Sequence, residues 1–126
     1  MGLVKEVIKE IGNKSREFYE FVLPPIDMYL TEDNLKIIID IPGFAKKDIE
    51  LTLCGDLLSI KAEKEIQKKE SDSLICNQRP NVIDKKVRLP IDIKVGEEKI
   101  ESAKYVEGIL TLVIPFTKSG KNISID

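Results

Sequence analysis

Residues 49–63 read IELTLCGDLLSIKAE, and this stretch decides the fold class. Ile49, Leu51 and Leu53 alternate with Glu50 and Thr52, the two-residue period of a strand with one buried face. Gly55-Asp56 is a tight-turn signal, and beyond it Leu58, Ile60 and Ala62 again share a face. The segment is therefore an antiparallel hairpin. Upstream, LKIIIDI puts Leu35, Ile37, Ile39 and Ile41 on one face before Pro42-Gly43 makes a bend. Downstream, VIDKKVRLP aligns Ile83, Val87 and Leu89, with Lys85 on the same face and in need of a partner. KIESAKY and GILTLVIP complete the set, the latter with Leu110, Leu112 and Ile114 opposite Ile109, Thr111 and Val113. Short alternating strands with regular turn signals predict an all-β antiparallel sandwich over residues 25–116.

Three segments stand apart from that pattern. Residues 1–24 form a helical arm: Leu3, Val4, Val7, Ile8 and Ile11 recur at spacings of three and four. Gly12 and Asn13 weaken this helix, and Ser15 is placed to cap a second, shorter one. Phe18, Tyr19, Phe21, Val22 and Leu23 then crowd together before Pro24-Pro25 forbids continuation. Residues 64–81 are a long charged loop, disordered or functional, with one apolar island at Leu74, Ile75 and Cys76. Residues 117–126 are a polar tail that ends with Ile123 and Ile125 flanking Ser124.

The tail carries the clearest functional hint. The run 117–122 spans on the order of 20 Å when extended, enough to reach a neighbouring molecule. Ile123 and Ile125 point the same way along an extended chain. Burying both is worth roughly 3–6 kcal/mol gross, much of it consumed by ordering the tail. One docking is weak, whereas many within one assembly are strong through effective concentration. The alternative is that the two isoleucines merely extend the last strand of their own sheet.

Composition excludes several classes. The 126 residues carry 20 Lys and Arg against 22 Asp and Glu, and aromatics are 6%, so a basic, aromatic nucleic-acid footprint is missing. No apolar run approaches a membrane span, and no signal-peptide pattern opens the sequence, so a cytoplasmic protein is expected. Histidine is absent, which removes the commonest general base and any Ser-His-Asp or Cys-His arrangement. Cys54 and Cys76 form no Cys-x-x-Cys pair, and no spacing of carboxylates suggests a metal site or a cofactor. Glu97-Glu98, or Asp84 with Asp92, read as solvated surface and not as an acid–base pair. No enzyme is expected. Lysine and glutamate abundance is the bias reported for proteins of hot environments.

The run AKYVEGILTLVIP resembles the signature of the small heat shock proteins, through Ala103, Glu107, Gly108, Ile109 and Leu110. IDIPGFAKKDIEL resembles the family's strand–bend–strand, VRLP its strand end, and ISI its Ile-x-Ile/Val tail motif. Several details look archaeal. The resemblance implies an α-crystallin domain, an immunoglobulin-like β-sandwich. It implies a dimer made by exchanging a short strand from the 64–81 loop, for which Leu74–Asn77 is the available island. Arg79 and Lys85 fall at that interface, with Ile83 and Lys85 where the family often has Phe-x-Arg, and Val106 where it is more often polar. Carried over by position, Leu51, Leu53, Ile100 and Ser102 line a groove for the tail isoleucines of another dimer. Dimers so linked form large homo-oligomers, often of about 24 subunits. The arm, through Leu3, Val4, Val7, Ile8, Ile11, Phe18, Tyr19, Phe21 and Val22, captures unfolding client proteins without ATP. The alternative from another class is a monomeric CS-type co-chaperone adaptor, which has no use for Ile123 and Ile125.

Overall fold

The computed structural model describes residues 2–65, 68–116 and 123–126, with the side chains of 5 and 8–13 excepted. Its first element is one helix, α1 (Gly2–Val22), where the sequence predicted two. Gly12 and Asn13 each weaken a helix by about 1 kcal/mol or less, too little to break one with good formers on both sides. Ser15 accordingly lies inside α1 and caps nothing. The helix stops where expected: Leu23 N–H still bonds Tyr19 O at 2.9 Å, and Pro24 has no N–H to continue.

Among the described residues seven strands follow: β1 (Ile26–Leu30), β2 (Asn34–Asp40), β3 (Ile49–Cys54), β4 (Leu57–Glu63), β5 (Val82–Arg88), β6 (Ser102–Val106) and β7 (Ile109–Pro115). They make two antiparallel sheets, ordered β1-β2-β7-β6 and β3-β4-β5. The hairpin read from residues 49–63 pairs Ile49 with Ala62, Leu51 with Ile60 and Leu53 with Leu58. Because directly opposed residues share a face, the register also fixes what each sheet turns inward. Leu35, Ile37 and Ile39 of β2 meet Ile114, Leu112 and Leu110 of β7 as cross-strand partners. All six are buried, together with Ile41, Leu58, Ile60, Ala62 and Ile83. The core is the sum of the alternating positions. β6 begins three residues later than KIESAKY suggests, and Glu101 N–H joins it to β7 through Val113 O at 2.9 Å.

Turns set the register of this core. Glu107 and Gly108 connect β6 to β7 with both φ angles positive, 51° and 79°, the backbone that a two-residue hairpin turn prefers. A Cβ on Gly108 would stand 3.0 Å from Pro42, so this turn packs directly on the bend after β2. Ile41 N–H donates to Gly108 O at 2.8 Å and seals the contact.

Candidate functional site: the open edges and the chain ends

Sheets that do not close leave edges, and an edge strand presents a row of unpaired backbone donors and acceptors. Here the edges are β1 and β6 in one sheet, β3 and β5 in the other. Two tethers bring β3 and β6 side by side. Near the start of β3, the Tyr105 hydroxyl of β6 donates to Ile41 O and Phe44 O at 2.8 and 2.9 Å. At the far end, Glu98 Oε1 accepts the Gly55 N–H at 2.9 Å, fastening the β3–β4 turn to the segment that leads into β6. The same carboxylate accepts the Gly96 N–H at 2.9–3.0 Å. These backbone bonds, from Gly55 first, hold the Glu98 carboxyl below the ordinary glutamate range.

Both edge strands carry apolar residues. Leu51 and Leu53 lie on the core face of β3 yet stay half-buried, because the strand has no neighbour beyond it. In β6 the core face is given by Ala103, partner of Leu112, and Tyr105, partner of Leu110. Ser102 is the partner of Val113 and shares the opposite face of the sheet, half-buried. Ile100, just before the strand, is exposed. Of the β6 residues, Ala103 and not Ser102 therefore shares the face of Tyr105, and it is exposed there. The two-residue turn at Glu107-Gly108 is the signal that finds it, by counting back from Val106 paired with Ile109.

The tail isoleucines are exposed among the described residues. Ile123 is 85% exposed and Ile125 95%. The polar run 117–122 that was expected to carry them lies outside the described residues.

In the 64–81 loop, no strand forms among the described residues. Leu74 is half-buried, while Ile75, Cys76 and Arg79 are exposed, and both cysteines are free thiols. Tyr29 and Leu30, on edge strand β1, are large and exposed as well. Sequence reasoning passed over them, since IDMYL by itself does not reveal that β1 has only one neighbour.

The arm is docked at one end and bare over much of its length. Glu20 Oε2 accepts the N–H groups of Asn81 and Val82 at 3.0 and 2.7 Å, at the start of edge strand β5. Arg16 Nε steadies this carboxylate at 3.3 Å from Oε1, one helical turn away. Lys85, predicted to need a partner, donates to Val22 O at 3.2 Å, one of the carbonyls a helix end leaves unpaired. Its partner is thus the arm of its own chain. Leu3, Val4, Val7, Phe18, Tyr19, Phe21 and Val22 are all exposed, Phe21 by 84%. The side chains of Ile8 and Ile11 lie outside the described residues.

Glu20 is the residue that no local pattern marks, and it gives a direct test. Replacing Glu20 with Ala leaves two edge N–H groups without their charged acceptor. Amide exchange at Asn81 and Val82 is expected to speed by about tenfold, equivalent to about 1.4 kcal/mol. Glu20→Gln, which keeps an acceptor oxygen, should fall between. Unchanged exchange in Glu20→Ala would mean that the arm is held by something else.

As for chemistry, no cluster of three metal-ligating side chains occurs among the described residues. Asp84, Asp92 and Glu97 are exposed, and Glu98 is spent on backbone amides. Among the described residues no helix is long and apolar enough to cross a membrane.

Comparison with known proteins agrees with this geometry. A sequence model described as the Hsp20/alpha crystallin family matches residues 27–126. The 26.5 kDa mitochondrial heat shock protein of Arabidopsis thaliana is 29% identical over 91% of this chain, which spans 52% of that protein's length. Small heat shock protein C2 of Rickettsia felis is 27% identical, covering 87% of this chain and 77% of that one. Among solved structures, a point mutant of hsp14.1 from Sulfolobus superposes with a TM-score of 0.73 at 39% identity, covering 90% of this chain and 95% of the other. A Del-C4 mutant of the same protein gives 0.68 at 42% identity, covering 79% and 80%.

Proposed function

The chain belongs to the Hsp20/alpha crystallin family, and from that premise we propose that it is an ATP-independent holdase, assembled through its chain ends. The observation that carries the proposal is the occurrence in one chain of two exposed isoleucines and of an edge strand whose Leu51 and Leu53 stay only half-buried. Ile123 and Ile125 enter the cleft between β3 and β6 of a neighbouring molecule, against Leu51, Leu53 and Ala103. The small Ala103 side chain leaves room for them. Leu74–Asn77 of one subunit pairs with the free edge of β1 in its partner, covering Tyr29 and Leu30. Dimers so formed are joined by tails into a large homo-oligomer, of the order of 24 subunits.

Each tail joint is weak alone, because gross burial of about 3–6 kcal/mol is offset by the ordering of the tail. Its weakness is what allows heat to loosen it. Subunits released from the particle present Phe18, Phe21 and the start of α1 to unfolding proteins, which carry newly exposed apolar surface of the same kind. No nucleotide is needed for such capture, and we place the work in the cytoplasm. The alternative is a monomeric adaptor on the same sandwich; the exposed tail and the half-buried Leu51 and Leu53 favour assembly.

Native mass tests this directly. Light scattering on a sizing column should give a particle of many subunits that suppresses the heat-induced aggregation of a model enzyme without ATP. A mass of one chain, with no suppression, would overturn the reading in favour of the adaptor.

A further inference from the structure

Lys64 and Arg79 stand at the two feet of the long loop, whose stem is closed by Lys64 N–H donating to Asn81 O at 2.9 Å. Their side chains converge on Gly43, in the bend between β2 and β3. A Cβ at Gly43 would lie 2.9 Å from Arg79 Nη2 and 3.2 Å from Lys64 Nζ. The two cationic nitrogens are therefore no more than about 6 Å apart, where like charges disfavour one another. Gly43 has a φ of +85°, and only a residue without a Cβ leaves the two cationic groups room to lie this close to the backbone.

The Lys64 ammonium also sits 5.0 Å from the centroid of the Phe44 ring. Its pKa is held below the ordinary lysine value, first by burial and then by the Arg79 charge. Neither cation has a carboxylate partner among the described residues. Two residues before Arg79, the Asn77 amide nitrogen is shut off from solvent and has no acceptor either. Folding has gathered two positive charges at the bend, with no carboxylate partner for either among the described residues.

We propose that Lys64 and Arg79 bind a compact multivalent oxyanion, of the phosphate or pyrophosphate class, over Gly43. A guanidinium presents a planar fork to two oxygens, and an ammonium serves as a mobile point charge for a third. Glycine at the bend lets the two cations approach the backbone, where any side chain would collide with them, and the anion bridges them from outside. A dianion neutralises both charges, whereas one carboxylate would leave half of the repulsion in place. Because the site joins the bend before β3 to both feet of the loop, occupancy ties those feet to the bend. The inference is independent of the holdase reading.

Equilibrium dialysis of the full chain with radiolabelled pyrophosphate at constant ionic strength is the test. Saturable binding of one anion per chain is expected, weakened at least tenfold in both Lys64→Met and Arg79→Met. Lys86→Met, which removes an exposed cation of β5, should bind as the unmodified protein does. A second measurement needs no variant: pyrophosphate should shield Lys64 from amine acylation, mapped by peptide mass, while Lys86 stays reactive. Binding that is absent, or that persists in Lys64→Met/Arg79→Met, overturns the proposal. So does a Lys64 already unreactive before any anion is added, since a carboxylate from a second copy would then hold the site.

Discussion

Ile123→Ser/Ile125→Ser reduces the assembled particle to dimers. The side chains are exposed in their own chain, so their removal creates no cavity and leaves the sandwich as stable as before. What is lost is about 3–6 kcal/mol of gross burial at every joint between dimers. Each 1.4 kcal/mol is a factor of ten, so a single joint weakens by roughly a hundredfold or more. Because joints act together in a closed particle, the loss multiplies across the assembly. The proposed dimer interface uses β1 and the long loop, not the tail, and is expected to survive. Light scattering on a sizing column distinguishes the outcomes. A particle of unchanged mass would mean that the tails join nothing, and the cleft between β3 and β6 would need another occupant. Single variants should lie between, because one isoleucine retains half of the contact.

How much of this was legible in the chain depends on the range of each interaction. The strands were legible because burial of one sheet face imposes a two-residue period, and Leu35, Ile37, Ile39 and Ile41 obey it throughout. The break in α1 was misjudged because local propensity is a weak term, overridden by strong helix formers on both sides of Gly12 and Asn13. Ala103 shows the finer limit: a shift of one residue in register exchanges the two faces of a strand. The register was nonetheless encoded, in the two positive φ angles at Glu107 and Gly108 that fix Val106 opposite Ile109. Glu20 was not legible at all. The N–H groups that donate to it lie more than sixty residues away, and nothing about a glutamate late in an amphipathic helix announces them. Lys85 was legible as a problem, a cation on an apolar face, but its solution at Val22 O was equally remote.

The arm and the tail should separate cleanly in function, and the structure shows where to cut. A truncation that includes Glu20 would also remove the bonds to Asn81 and Val82 and disturb the edge of β5. Removing residues 1–15, with Phe18→Ser and Phe21→Ser, retains Arg16, Glu20 and Val22 and so keeps the docked turn of the helix. It deletes Leu3, Val4 and Val7 and blunts the two exposed aromatic rings. Each large apolar side chain withdrawn from a client contact forfeits up to about 1.5–3 kcal/mol. The expected result is that suppression of heat-induced aggregation needs at least ten times more protein, while the dimer persists. In the tail variant the reverse holds: particle size falls and capture is retained, since the arm is intact and more accessible. Full protection by the arm-depleted protein would remove α1 from client binding. The capture surface would then have to be sought on the sandwich, where Val106 and Ile109 form an exposed apolar pair.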